Sequence, residues 1–248
     1  MLVTVGLDGL EDMLAGEVST LLGGEQFAAE SSVIPQGRVS FAVALLQARK
    51  LLYEAQAPAV LIVGSDSLLV WPTLRELETR NRLLTSTNSN GFVAGEAASA
   101  VLIARAASGE RLSIGGLGFA MESAHIEAEG PLRADGLSTA IAEALTDGNR
   151  EMHEMDFRIT DISGEHYYFK EASLALSRRL RRRKEEFDIW HPAECVGEVG
   201  SAIGPMMLAV AEASARKAYA PGVNVLMHAS NDGGQRTAVI ARYGHFDG

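Results

Sequence analysis

Short apolar runs alternate along this chain with longer stretches of helical periodicity, the pattern of an α/β protein. Leu2–Leu7 reads as a strand, and Glu11–Leu22 reads as a helix closed by Gly23 and Gly24. A weaker strand is expected over Gln26–Val33. Gly37–Ala55 carries Ala, Leu and Val on most of its faces, which predicts a helix buried between two sheets. Ala59–Val63 is a β-rich run ending at Gly64 and predicts a buried strand. From Ser67 to Gly91 the pattern breaks down, ending in the polar loop Thr85–Gly91. Ala98–Arg105 and Leu112–Glu122 then read as two strands joined by a turn at Ser108 and Gly109.

The remainder repeats this plan. Helix Gly136–Asp147, strand Phe157–Ile162, amphipathic helix Tyr168–Glu186 and short strand Asp188–His191 follow one another. A second Ala-rich helix, Ser201–Tyr219, leads to strands Val223–Ala229 and Thr237–Tyr243 around the Gly233-Gly234 turn. Two similar halves, each with one apolar helix, predict a duplicated fold. Its central helices would lie between two sheets, with further helices outside, giving a five-layer αβαβα sandwich. No Pro-, Gly- or Ser-rich linker separates the halves, so one domain over 1–248 is expected, with halves of about 1–125 and 126–248.

Composition narrows the function classes. The formal net charge is −10, which argues against a general nucleic-acid surface. The single cysteine, Cys195, cannot form an intrachain disulfide and fits a reducing, cytoplasmic setting. The opening residues lack a basic n-region and do not read as a signal peptide. No apolar run reaches the roughly 20 residues of a membrane helix, so no membrane partner is expected.

Five motifs, in order, resemble those of the β-ketoacyl synthases of the thiolase superfamily over roughly Val33–Tyr243. Asn90-Gly91-Phe92-Val93-Ala94-Gly95-Glu96-Ala97-Ala98 is similar to that family's D-G-F-V-x-G-E-G-A segment. Ala59–Ser67 resembles its strand ending in G-G-A-E-S, and Gly197–Gly204 resembles its G-H-x-x-G-A-A-G helix start. Ser230-Asn231-Asp232-Gly233-Gly234 resembles its S-x-G-F-G-G turn, and Ile34-Pro35-Gln36-Gly37 stands where its C-S-x-G motif opens the first buried helix. The resemblance implies a thiolase-like fold, in a chain shorter than a complete synthase.

It also implies a cysteine nucleophile at a helix N-terminus, where the dipole favours the thiolate, and two histidines that stabilise charge during decarboxylation and condensation. Carried over residue by residue, Ile34 takes the cysteine's seat, Ser163 the first histidine's and Glu198 the second's. A register two residues later would instead place Gln36 at the nucleophile position, as in decarboxylating or chain-length-partner relatives. The gating Phe of the turn is replaced by Asp232. No condensing activity is expected, because an isoleucine offers no nucleophile and catalytic groups that act as a unit fail together. The vestigial pocket would comprise Gln36, Gly37, Glu165, His166, Asp232, Gly233 and Gly234. No cofactor is expected.

Other readings stay open at this level. Glu165, His166 and Glu198 make either a new acid/base site or solvated loop and helix-start residues favoured by the helix dipole. Cys195 is a displaced nucleophile or a small buried hydrophobe. His191 and Cys195 have the spacing of a metal-ligand pair, but no second pair accompanies them, so no metal is expected. The basic run Arg178–Lys184 is a solvated helix face or a docking patch for an acidic acyl carrier protein. Tyr167, Tyr168 and Phe169 either cover the vacated pocket or begin a helix. The glycines around Gly116 and Gly118 lack the strand–helix context of a dinucleotide loop. The resulting expectation is a catalytically inactive binding, adaptor or dimerisation partner. It would form a homodimer, or a heterodimer with a synthase-like protein, by pairing strand Ala59–Val63 across a two-fold axis. The alternatives are a decarboxylase or thioester hydrolase using His166 and Glu198, and an acyl or coenzyme A sensor.

Overall fold

The computed structural model describes residues 2–4 and 11–246. A first sheet contains β1 (Leu2–Thr4), β2 (Ser32–Ile34), β3 (Ala59–Ser67) and β4 (Glu96–Ala104), in the order β2-β1-β3-β4. A second contains β5 (Gly109–Met121), β6 (Phe157–Thr160), β7 (Ile189–Trp190), β8 (Asn224–Ser230) and β9 (Gln235–Phe246), in the order β5-β9-β8-β6-β7. In the first sheet β1 runs parallel to β2 and β3, and β3 pairs antiparallel with β4. The second repeats this: β6 is parallel to β7 and β8, and β8 is antiparallel to β9. Strand β5, earlier in sequence, adds antiparallel to the outer edge of β9.

Helices α1 (Glu11–Leu21) and α2 (Ser40–Tyr53) carry the first set of crossovers, from β1 to β2 and from β2 to β3. These crossovers run in opposite directions along the sheet. Right-handed connections therefore place α1 and α2 on opposite faces. The same holds for α5 (His166–Arg179) and α7 (Ile203–Arg216) around β6, β7 and β8. The inward pair, α2 and α7, fills the middle layer. Phe41, Leu45, Ile203 and Met207 pack there against Ile62 of the first sheet and Met227 and Val239 of the second. Glycine permits the close approach. A Cβ on Gly64 of β3 would lie 2.6 Å from the Ser201 carbonyl oxygen, and one on Gly204 would overlap the Phe41 side chain. Helix α4 (Asp135–Asp147) and α5 cover the outer face of the second sheet, where Leu137, Ile141 and Ala144 bury Leu226 and Ile240. The five layers expected from the pattern are thus present.

Several elements differ from the sequence reading. The predicted first strand beyond Thr4 lies outside the described residues. The strand expected over Gln26–Val33 shrinks to β2, because the chain turns at Ala28–Ser31 before reaching β1. The patternless stretch after Ser67 contains a helix, α3 (Trp71–Thr79), with Pro72 in its first turn. It buries no residue, so it leaves no apolar stripe to read. The strands before and after Ser108 do not pair with each other; they lie in different sheets. Helix Tyr168–Glu186 stops at Arg179 and starts at His166. Closely spaced cations beyond Arg179 would repel one another on a continuing helix, and Lys184 instead donates to the carbonyls of His153 and Met155. A further short helix, α6 (Ala193–Val196), precedes Gly197.

One expectation is overturned outright. Strand Ala59–Val63 cannot pair across a two-fold axis, because β3 is interior, hydrogen-bonded to β1 on one side and β4 on the other. Its apolar sequence reflects burial within the sheet, and the edges of this sheet are β2 and β4.

Candidate functional site

The two halves meet where the chain enters its two central helices. Each entry is a single 3-10 turn opening on a left-handed glycine, Gly37 (φ +54°) before α2 and Gly200 (φ +52°) before α7. The turn after β8 closes over them. The Asn231 side-chain amide donates to the Gln36 carbonyl at 2.8 Å, and Gly234 holds φ +97° with no room for a Cβ beside the Glu122 carbonyl. An open cavity of about 450 Å³ results, lined by Gly37, Arg38, Arg82, Phe92, Glu198 and Asp232 among others.

The seats assigned from the motifs fall here as follows. Ile34 ends β2 and is buried; its side chain packs in the central core, and its carbonyl accepts the Ser40 hydroxyl at 3.0 Å. Ser163 and Glu198 are brought together, the Ser163 hydroxyl donating to the Glu198 carboxylate at 2.8 Å. Glu198 also accepts the Gly200 N–H at 3.0 Å, and its backbone pairs with Val93 and Gly95 on the D-G-F-V-like segment. Gln36 is exposed, and its N–H donates to Ser40 Oγ. His166 stands exposed at the first turn of α5, where its backbone N–H donates to the Asn90 side chain. Cys195 is exposed on α6, and His191 bonds through Nδ1 with the Thr160 hydroxyl at 2.9 Å. No group of three or more candidate metal ligands occurs among the described residues.

Sequence reasoning missed the two residues that organise this site. Arg38, on the buried 3-10 turn, donates to Glu198 at 3.2 Å, to Asp232 at 2.8 Å and to the Tyr168 hydroxyl at 2.9 Å, and lies 3.6 Å from Asp161. Arg82, from the patternless stretch, forks onto Glu165 at 2.8 and 2.6 Å and reaches Asp232 at 2.5 Å. Asp232 thus bridges both guanidinium groups and also accepts the Tyr168 hydroxyl. Tyr168 is buried inside this network, with Arg38 stacked over its ring at 4.8 Å. Glu165 and Glu198 are both buried and paired, which overturns their reading as solvated residues.

The electrostatics follow from this packing. Burial opposes charge on Asp232, but Arg38 and then Arg82 outweigh it and hold the carboxyl well below the usual range. Arg38 and Arg82 are held above their ordinary values against the same burial penalty, Arg38 with Tyr168 and Glu198 nearby and Arg82 through the hydrogen bonds it donates to Glu165 and Asp232. Asp161 is the exception: burial pushes it up to about 7, only partly offset by Arg38 and the Ser230 N–H. Burial likewise raises the Tyr168 phenol far above its normal value. A signal for the missed arginines existed. Arg38 is a lone cation in an otherwise apolar helix start, and several acidic residues on motif positions demand cations if buried.

No family model and no curated protein matches the chain. Solved structures do. A chain from the complex of a ketosynthase with its chain length factor, from Xenorhabdus doucetiae, superposes with a TM-score of 0.76 at 14% identity, covering 98% of this chain and 74% of that one. An oxazolomycin ketosynthase domain from Streptomyces albus JA3453 gives 0.75 at 16% identity, covering 98% of this chain and 55% of the other. The 3-oxoacyl-[acyl-carrier-protein] synthase III of Aquifex aeolicus VF5 gives 0.65 at 17% identity, with 98% and 76% covered. This chain therefore has the thiolase-like fold seen in the ketosynthases. It spans about three quarters of two of these structures and about half of the other.

Proposed function

We propose that this chain is a non-condensing, ketosynthase-like protein that acts as a binding or dimerisation partner, in the manner of a chain length factor beside a ketosynthase. The observation that carries this reading is the ion-pair network. Where acyl transfer would require a thiolate and two imidazoles, the motif resemblance assigns those seats to Ile34, whose side chain packs in the central core, to Ser163 and to Glu198. Arg38 ties that glutamate to Asp232 and Tyr168. The carboxylate oxygens of Glu198 are taken up by Arg38, Ser163 and the Gly200 N–H, all partners within the chain. His166 faces solvent and shares no hydrogen bond with Glu198, which removes support from the hydrolase or decarboxylase alternative. The charged walls of the cavity disfavour a long acyl chain, so the sensor alternative also loses ground.

With β3 internal, the surfaces available to a synthase-like partner include the β2 edge and the exposed apolar set Leu69, Val70 and Trp71 at the start of α3. Carrier-protein docking on the basic run has less to offer than its sequence suggests. Arg178, Arg179 and Lys184 are engaged by backbone carbonyls within the chain, and Arg181 and Arg183 remain exposed.

Incubation with malonyl- and acyl-thioesters, followed by thiol release and product analysis, tests the reading. No turnover above the buffer rate is expected. Turnover that disappears in a Glu198→Ala, His166→Ala double variant would overturn it and restore the altered-enzyme alternative.

A further inference from the structure

Among the described residues, four carboxylates surround the guanidinium groups of Arg38 and Arg82, and one of them is unlike the rest. The side chains of Asp161, Glu165 and Glu198 are 1%, 6% and 6% exposed, whereas that of Asp232 is 41% exposed and lines the open cavity. Asp161 and Glu198 are also tied to the backbone, through the Ser230 N–H at 2.9 Å and the Gly200 N–H at 3.0 Å. Asp232 accepts from side chains alone: Arg38 at 2.8 Å, Arg82 at 2.5 and 3.3 Å, and the Tyr168 hydroxyl. Two guanidinium groups and a phenol that converge on one partly exposed carboxylate have the geometry of a carboxylate receptor.

Asp232 can leave this receptor without disturbing its frame. The turn that carries it is pinned at both ends. Asn231 donates to the carbonyls of Gln235 and Gln36, and Gly234 accepts the Glu122 N–H at 2.8 Å. Between them, exposed Gly233 has no side chain to block rotation of the Asp232 side chain into solvent. The arginines keep their other partners, Arg38 with Glu198 and Arg82 with Glu165. Exchanging one carboxylate for another leaves the charge around them unchanged, so no buried cation is stranded. The cavity of about 450 Å³ adds Leu68, Leu77 and Phe92 as a surface for an apolar body. Glu198 also lines it and repels a second negative charge on the ligand.

We infer that Arg38, Arg82 and Tyr168 form a binding site for a compact organic monocarboxylate, which Asp232 occupies as a built-in competitor in the free chain. The ligand carboxylate takes over the bonds that Asp232 accepts, and its apolar body packs on Leu68, Leu77 and Phe92. Asp232 turns outward and is hydrated. Because it is tethered, Asp232 competes at a high effective concentration, so only an acid that adds apolar contacts displaces it. The assignment rests on the non-condensing reading of this site and supplies its ligand class.

The test is isothermal titration of the full chain with benzoate, with benzamide as the uncharged isostere and sodium chloride as the ionic-strength control. The parent chain is expected to bind benzoate saturably and to respond to benzamide no more than to salt. The carboxyl carbon resonance of Asp232 should move in step with benzoate binding. Asp232→Ala removes the competitor and should bind benzoate about tenfold more tightly. Asp232→Asn, close to the parent in volume, gives the same comparison should the alanine variant not fold. Tyr168→Phe removes one donor, keeps the ring beneath Arg38 and should weaken binding several-fold. The inference is overturned if benzoate and benzamide act alike on the parent. It is equally overturned if loss of the Asp232 carboxylate fails to tighten benzoate binding, or if Tyr168→Phe leaves the affinity unchanged. None of these results bears on thioester turnover, so turnover in a chain that binds benzoate as expected would remove the non-condensing reading alone.

Discussion

Replacing Arg38 with alanine is expected to destabilise the fold by about 3–5 kcal/mol, the cost of removing one member of a buried ion pair and leaving its partners uncompensated. Arg38 is nearly buried and is the main cation facing Asp161 and Glu198, while Asp232 retains Arg82. The loss should register in urea denaturation as a lower midpoint with an unchanged slope. Arg38→Lys should fall between, because an ammonium cannot reproduce the guanidinium fork that reaches Glu198, Asp232 and Tyr168 together. Arg38→Met combined with Asp161→Asn and Glu198→Gln should recover at least half of the deficit, since neutral isosteres need no cation. A loss below about 1 kcal/mol for Arg38→Ala would mean that water solvates these carboxylates, and the network would then be a surface feature with little hold on the site.

The fold was legible where burial imposes a period, and illegible where it does not. Strands β3, β8 and β9 and helices α2, α4 and α7 all bury apolar residues at regular spacing, and each was placed to within a few residues. Helix α3 was missed because it buries nothing, so its formation rests on local preference and Pro72 alone. The edge or interior position of β3 depends on pairing with β1, whose Leu2 meets Ile62, as well as with β4, whose Glu96 meets Ser67. No local pattern in Ala59–Ser67 encodes that pairing. The site was half legible for a related reason. Motif order located Ser163, Glu198 and Asp232 and the glycines that shape the turns, because these sit on backbone features with their own sequence signals. The same logic could not reveal that Glu165, Glu198 and Asp232 are buried, nor that Arg38 and Arg82, 44 positions apart by their numbers, converge on one carboxylate. Charge pairing across a fold has no periodicity. It is found only by asking how each acidic residue near a buried turn could be compensated.

Asp161 should give the network a signature in pH. Its carboxyl is pushed up to about 7 by burial, against an ordinary value near 3.8. Below the ordinary value the carboxyl is protonated in both folded and unfolded chains. As pH rises from there, the unfolded chain releases the proton while the folded chain retains it until about 7. Asp161 therefore contributes stability that is full at low pH and is lost as pH rises towards 7, with no further change above. Asp232 has the opposite sense. Its depressed value contributes stability above the ordinary carboxylate range that is lost as pH falls. Comparing the parent chain with Asp161→Asn separates the two, because Asp232 is common to both proteins. The asparagine oxygen can accept the Ser230 N–H that Asp161 accepts at 2.9 Å, so the variant should fold. Between pH 5 and pH 8 the stability of Asp161→Asn relative to the parent should rise by about 2–3 kcal/mol, at about 1.4 kcal/mol for each pKa unit traversed. Urea titrations at unit intervals of pH measure this directly. A difference that stays constant across the range would mean that Asp161 is ionised in the folded protein throughout, held so by Arg38, and that the network contains no titrating member near neutrality.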